Sequence, residues 1–106
     1  MISADVQLEP YVKIYNNVSI GHNCKLGMYS YINPNSYIDN DTQIGRYCSI
    51  SRNVMIGLGN HDMNAITTHP IGYSKEWNEY INSDVNINGN TIIENDVWIG
   101  AGAIIL

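Results

Sequence analysis

Three histidines and two cysteines are the side chains of this 106-residue chain best suited to chemistry near neutral pH. Imidazole takes and gives protons there, its ordinary pKa being about 6.5. His61 and His69 share the stretch GNHDMNAITTHPIG, and His22 lies far upstream. Read singly, each is an ordinary solvated histidine. Read together, they invite zinc, which needs three protein ligands converging on one point. Cys24 and Cys48 are too sparse for a disulfide framework. Which chemistry is open depends on the elements that carry these side chains.

Those elements repeat. Aliphatic residues fall every six positions: Ile2, Leu8, Ile14, Ile20, Leu26, Ile32, Ile38, Ile44, Ile50 and Ile56. Four residues after each of the first nine anchors stands a small or β-branched residue: Val6, Val12, Val18, Cys24, Ser30, Ser36, Thr42, Cys48 and Val54. Gly21, Gly27, Asn33, Asp39, Gly45 and Gly57 directly follow anchors, and their types suit a bend or a left-handed backbone there. The pattern returns at Ile81, Ile87, Ile93, Ile99 and Ile105, with Val85, Thr91, Val97 and Ala103 in the small register. A period of six is neither the helical 3.6 nor plain alternation, and it fits a short strand plus a corner. Such hexads build parallel β-solenoids whose coils cover one another. Seventeen isoleucines and no phenylalanine suit a narrow stacked interior. The expected organisation is one β-helix domain over 1–106, with hexads at 2–61, a loop at about 62–80 and hexads at about 81–106. A long excursion from a rigid scaffold is a place for function.

The composition excludes several classes of partner. Five basic residues against ten acidic ones give a net charge of −5 and leave no basic patch for nucleic acid. With 44% apolar and 14% charged residues the chain is not a disordered tail. It has neither a run of 18 apolar residues nor a basic-then-apolar leader. The expectation is a soluble, cytoplasmic protein.

In IGRYCSISRNVMIGLGNH (44–61), TTHPI (67–71) and NTIIENDVWIGAGAIIL (90–106) the chain resembles the hexapeptide-repeat acyltransferases, and among them the xenobiotic and sugar O-acetyltransferase branch. The resemblance implies an all-β, three-sided left-handed parallel β-helix, against the usual right-handed crossover rule. It also implies a homotrimer with sites between subunits, acetyl-CoA as co-substrate, no metal, and a sugar, polysaccharide precursor or antibiotic as acceptor. His61 matches the family's catalytic histidine, a general base that takes the acceptor's hydroxyl proton as the thioester is attacked. Trp98, Gly100 and Ala101 match the coil along which acetyl-CoA runs. Trp98 also reads as an outward aromatic, and the small residues as hexad positions. On the acceptor side stand Asn33, Asn60 and His69, with His69 as an alternative base and Asn33 as an alternative turn residue. Met63, Tyr73, Trp77 and Tyr80 would pack the loop on a neighbouring subunit or line an acceptor pocket.

Two other readings compete. A γ-class carbonic anhydrase on the same solenoid would use His22, His61 and His69, but His22 stands two coils below the loop and the spacing is not met. A non-catalytic module is suggested because the chain stops at IGAGAIIL within a repeat, short of the family's further coils. The expectation is therefore a fragment truncated at its C-terminus, weak or inactive alone, with the low count of basic residues pointing the same way.

Overall fold

The computed structural model describes residues 1–61, 63–72, 76 and 89–106. They fall in two units, one of Met1–Leu58 with Asn90–Leu106 and one of Gly59–Gly89.

The first unit is a three-sided coil of short strands. They are β1 (Gln7–Leu8), β2 (Lys13–Ile14), β3 (Ser19–Ile20), β4 (Lys25–Leu26), β5 (Tyr31–Ile32), β6 (Tyr37–Ile38), β7 (Thr42–Ile44), β8 (Ser49–Ile50), β9 (Met55–Ile56), β10 (Thr91–Ile93), β11 (Trp98–Ile99) and β12 (Ile104–Ile105). Every third strand joins the same sheet, giving three parallel four-stranded sheets, β1-β4-β7-β10, β2-β5-β8-β11 and β3-β6-β9-β12. The hexad explains this arrangement. Strand residues alternate in and out, so each anchor points inward and stacks on the anchor one coil away: Leu8 on Leu26 on Ile44 on Ile93, and Ile14 on Ile32 on Ile50 on Ile99. Leu26, Ile32, Ile38, Ile50 and Ile56 are wholly buried. Each such aliphatic side chain contributes roughly 1.5–3 kcal/mol by leaving water.

The small register fills the corners from inside. Ser30 donates from Oγ to the Gly45 carbonyl at 2.6 Å and accepts the Cys48 N–H at 2.9 Å. Ser36 likewise donates to the Ser51 carbonyl and accepts the Val54 N–H. Both thiols follow the pattern, Cys24 donating to the Asp39 carbonyl and Cys48 to that of Glu94. They are separate core thiols, neither of them in a disulfide. The exception is Thr42, whose buried Oγ1 has no partner among the described residues.

The bends lie elsewhere than the residue types suggest. Left-handed backbone occurs three residues after the anchor, at Tyr11, Asn17, Asn23, Tyr29, Asn35, Asp41, Tyr47, Asn53 and Asp96, with φ between 54° and 65°. Among the described positions directly after an anchor, only Gly57 has a positive φ, +80°. Gly27 and Gly45 answer a different need. A Cβ on Gly27 would lie 2.5 Å from the Gly45 carbonyl carbon, and one on Gly45 would lie 2.7 Å from that of Glu94. Close approach of successive coils, rather than φ, excludes a side chain there.

Gly57 also marks the exit of the chain from the coil. Ile93 pairs with Ile44, 49 positions back, whereas Ile44 pairs with Leu26, 18 back. Thirty-one residues are thus added, the length of the Gly59–Gly89 unit. Ile81, Val85 and Ile87, where the hexad phase resumes in the sequence, lie outside the described residues, as do Tyr73, Trp77 and Tyr80. Met63 is described and exposed. No helix among the described residues is long and apolar enough to cross a membrane.

Candidate active site

The residues with catalytic potential divide between the two units. In the Gly59–Gly89 unit, Asn60, His61 and His69 are all exposed, and a single turn of 3-10 helix follows at Pro70–Gly72. Local bonds fix both rings. His61 Nδ1 stands 2.7 Å from the Thr68 carbonyl oxygen. A carbonyl only accepts, so Nδ1 carries the proton and donates it. In the neutral ring Nε2 then holds the lone pair, and among the described residues it has no hydrogen-bond partner.

His69 is held the other way round. Its Nδ1 accepts the Ile71 N–H at 3.0 Å, and its own backbone N–H donates to Thr67 Oγ1 at 3.1 Å. A neutral His69 therefore carries its proton on Nε2. The two rings have opposite tautomers eight residues apart: His61 is set to receive a proton at Nε2, His69 to donate one. The Thr67–Ile71 segment supplies both constraints, which brings the two histidines into one hydrogen-bonded arrangement. Sequence reading found both histidines but missed their partners, because a backbone carbonyl and a backbone N–H carry no residue-type signal.

In the coil, the other candidates share one corner and the strand leading to it. Trp98 lies on β11 opposite Ser49 and is 80% exposed. Gly100 and Ala101 follow on the surface, and a Cβ on Gly100 would meet nothing within 4 Å. Asn33 stands at the same corner two coils away, its N–H donating to the Ile50 carbonyl as Ser51 donates to that of Ile99.

His22 is an exposed surface residue that takes part in a local relay. Its Nδ1 is 2.6 Å from Ser3 Oγ, which donates to Asp5 Oδ1 at 2.9 Å. The Ser3 hydroxyl and the Asn23 N–H hold the Asp5 carboxyl below its usual range. No three His, Cys, Asp or Glu side chains among the described residues could hold a metal ion together.

A cavity of about 560 Å³ opens against the β1-β4-β7-β10 sheet, lined by Lys25, Gln43, Arg46 and Ile92 among others. None of the candidate residues lines it. At its edge Arg46 grips Glu9 through two hydrogen bonds of 3.0 and 2.8 Å, and Glu9 also accepts the Met28 N–H. The Arg46 guanidinium lowers the Glu9 carboxyl to about 2.

Comparison with known proteins agrees with this architecture. Residues 1–34 match the family described as bacterial transferase hexapeptide (six repeats). Over 75 residues, 66% of the chain, it is 32% identical to a probable macrolide acetyltransferase of Lysinibacillus sphaericus, and the match spans 42% of that relative's length. No solved structure gives a significant match. The period of six and the three parallel sheets make the chain a three-sided left-handed β-helix of six-residue repeats, whose residues 1–34 are similar to the bacterial transferase hexapeptide family and whose sequence is similar to a probable macrolide acetyltransferase.

Proposed function

We propose that this chain is part of an acetyl-CoA-dependent O-acetyltransferase in which His61 is the general base. The observation that carries the reading is the 2.7 Å bond from His61 Nδ1 to the Thr68 carbonyl. It fixes the ring orientation and places the lone pair on Nε2. An acceptor hydroxyl is a poor nucleophile until a base takes its proton. In the proposed step Nε2 accepts that proton while the hydroxyl oxygen bonds to the thioester carbonyl carbon. The tetrahedral intermediate then collapses: the C–S bond breaks, the sulfur leaves as thiolate, and the imidazolium returns the proton to it. The products are an acetyl ester and free CoA thiol, with the base regenerated.

His69, a donor by its tautomer, takes the acceptor-wall role rather than the base role. Asn60 and Asn33 serve as acceptor-side polar groups. Trp98, Gly100 and Ala101 take the thiol-bearing arm of the co-substrate. A homotrimer completes each site from a neighbouring subunit. The acceptor is a hydroxyl-bearing sugar, polysaccharide precursor or antibiotic, and the relative's name makes a macrolide the first to try.

The test is thiol release from acetyl-CoA in the presence of a macrolide or a hydroxylated sugar. His61→Ala should slow it by roughly 10²–10⁴, the usual worth of a general base. Unchanged turnover in that variant would remove His61 from the mechanism.

A further inference from the structure

One corner of the coil departs from the chemistry of the other two. At the corner after β2, β5 and β8 the left-handed positions are Asn17, Asn35 and Asn53, and Gly102 follows one coil on. At the corner after β3 and β6 they are Asn23 and Asp41. Asn, Asp and Gly are the residue types that adopt left-handed backbone most readily. At the corner after β1, β4 and β7 the same positions hold Tyr11, Tyr29 and Tyr47, with φ of 64°, 63° and 59°. A bulky side chain kept in that region points to a use for it.

The three rings form a ladder. Tyr11 and Tyr29 stack with centroids 5.1 Å apart and planes 10° from parallel, and Tyr29 and Tyr47 at 5.4 Å and 15°. Stacking spends the ring faces on each other and turns edges and hydroxyls outward. The rings remain 69%, 49% and 59% exposed, and none of the three hydroxyls has a partner among the described residues. The coil spacing thus presents three phenol donors in a row, one per coil. Ring edges carry partial positive charge and suit oxygen lone pairs. The side chains beside the ladder are Pro10, Met28 and Arg46, and the guanidinium is already paired with Glu9. The ridge is therefore amphipathic, and it ends on the carboxylate of Asp96, exposed at the same corner on the next coil.

We propose that this tyrosine ridge binds a neutral, extended saccharide chain laid along the coil axis, with successive sugar units hydrogen-bonding to successive phenol hydroxyls. The ring spacing is close to the rise of one pyranose in an extended β-linked glycan, so the recognised unit is an oligosaccharide of three or more sugars. The absence of an unpaired cation beside the rings and the Asp96 carboxylate at the end of the row favour a neutral glycan over a polyanion. The inference stands apart from acetyl transfer, because its readout is binding in the absence of acetyl-CoA.

The experiment is calorimetric or NMR titration of the full chain with cello- and chito-oligosaccharides of one to six units. Affinity should rise through the third sugar and then level off. Replacing all three tyrosines by Phe keeps the stack, removes the hydroxyls, and should weaken hexasaccharide binding at least tenfold. Replacing all three by Asn should abolish binding with no loss of melting temperature, since Asn already serves the other corners. No binding by the wild-type chain, or binding unchanged in the Phe variant, overturns the proposal. So does a concentration-dependent self-association that the Asn variant removes, which would assign the ridge to a second copy of the chain.

Discussion

Ile50 and His61 are eleven residues apart and are held in place by different physics. Ile50 is wholly buried, packed between Ile32 below and Ile99 above in a register that repeats at every coil. Its position follows from burial and backbone pairing, which many residues enforce together. His61 is exposed, and one hydrogen bond to a backbone carbonyl seven residues on sets its ring. In the coil, a side chain is interchangeable with others of its size and polarity. In the 59–89 unit a single atom decides whether a ring is an acid or a base. A redundant scaffold thus carries a segment whose chemistry is set locally.

That contrast can be broken most forcefully from the coil side. Ile50→Asp places an uncompensated carboxylate in the stacked column, at a cost comparable to the whole stability of a small domain. The variant should lose its cooperative thermal transition and its β-sheet circular dichroism. A native melting curve would show that burial at Ile50 does not hold the column together.

Gly57→Ala tests the boundary between the two regimes. A Cβ there stands 2.6 Å from the buried Thr42 Oγ1, on a residue with φ of +80°. Contact and backbone strain together should cost about 1–3 kcal/mol in chemical denaturation. Adding Thr42→Ala should recover the part due to contact, a coupling that a double-mutant cycle reads directly.

The smallest effect belongs to the surface clasp. Glu9 has its carboxyl lowered from 4.5 to about 2 by Arg46, so its contribution is fully present above pH 4.5 and fades as pH falls toward 2. Arg46 is exposed and Glu9 half-buried at the surface, and the gain is modest. The melting advantage of wild type over Glu9→Gln should be constant above pH 5 and vanish near pH 2. An advantage independent of pH would place the role of Glu9 in packing instead.

The coil was legible in the sequence because six residues make one side of the prism, so Ile and Val at fixed spacing report burial directly. The corners were legible only in part. Gly27 and Gly45 mark where coils approach closely, while the left-handed turn sits two residues later on Tyr, Asn and Asp. Residue type alone does not separate the two causes. Tyr11, Tyr29 and Tyr47 recur every eighteen residues, a signal present in the sequence, but tyrosine is not a residue type that marks a left-handed corner. At the candidate site, His61 and His69 were visible as residues. Their opposite proton positions were not, because Thr68 and Ile71 act through backbone atoms that every residue possesses.

The central claim is that the neutral form of the His61 ring carries its proton on Nδ1 and its lone pair on Nε2. Nitrogen-15 NMR of the ring at neutral pH reports this directly through the shifts and proton couplings of the two nitrogens. The expected result is a protonated Nδ1 and a bare Nε2 for His61, with the reverse for His69. A His61 ring protonated on Nε2 and bare at Nδ1 would contradict the account, since no base could then act from that atom.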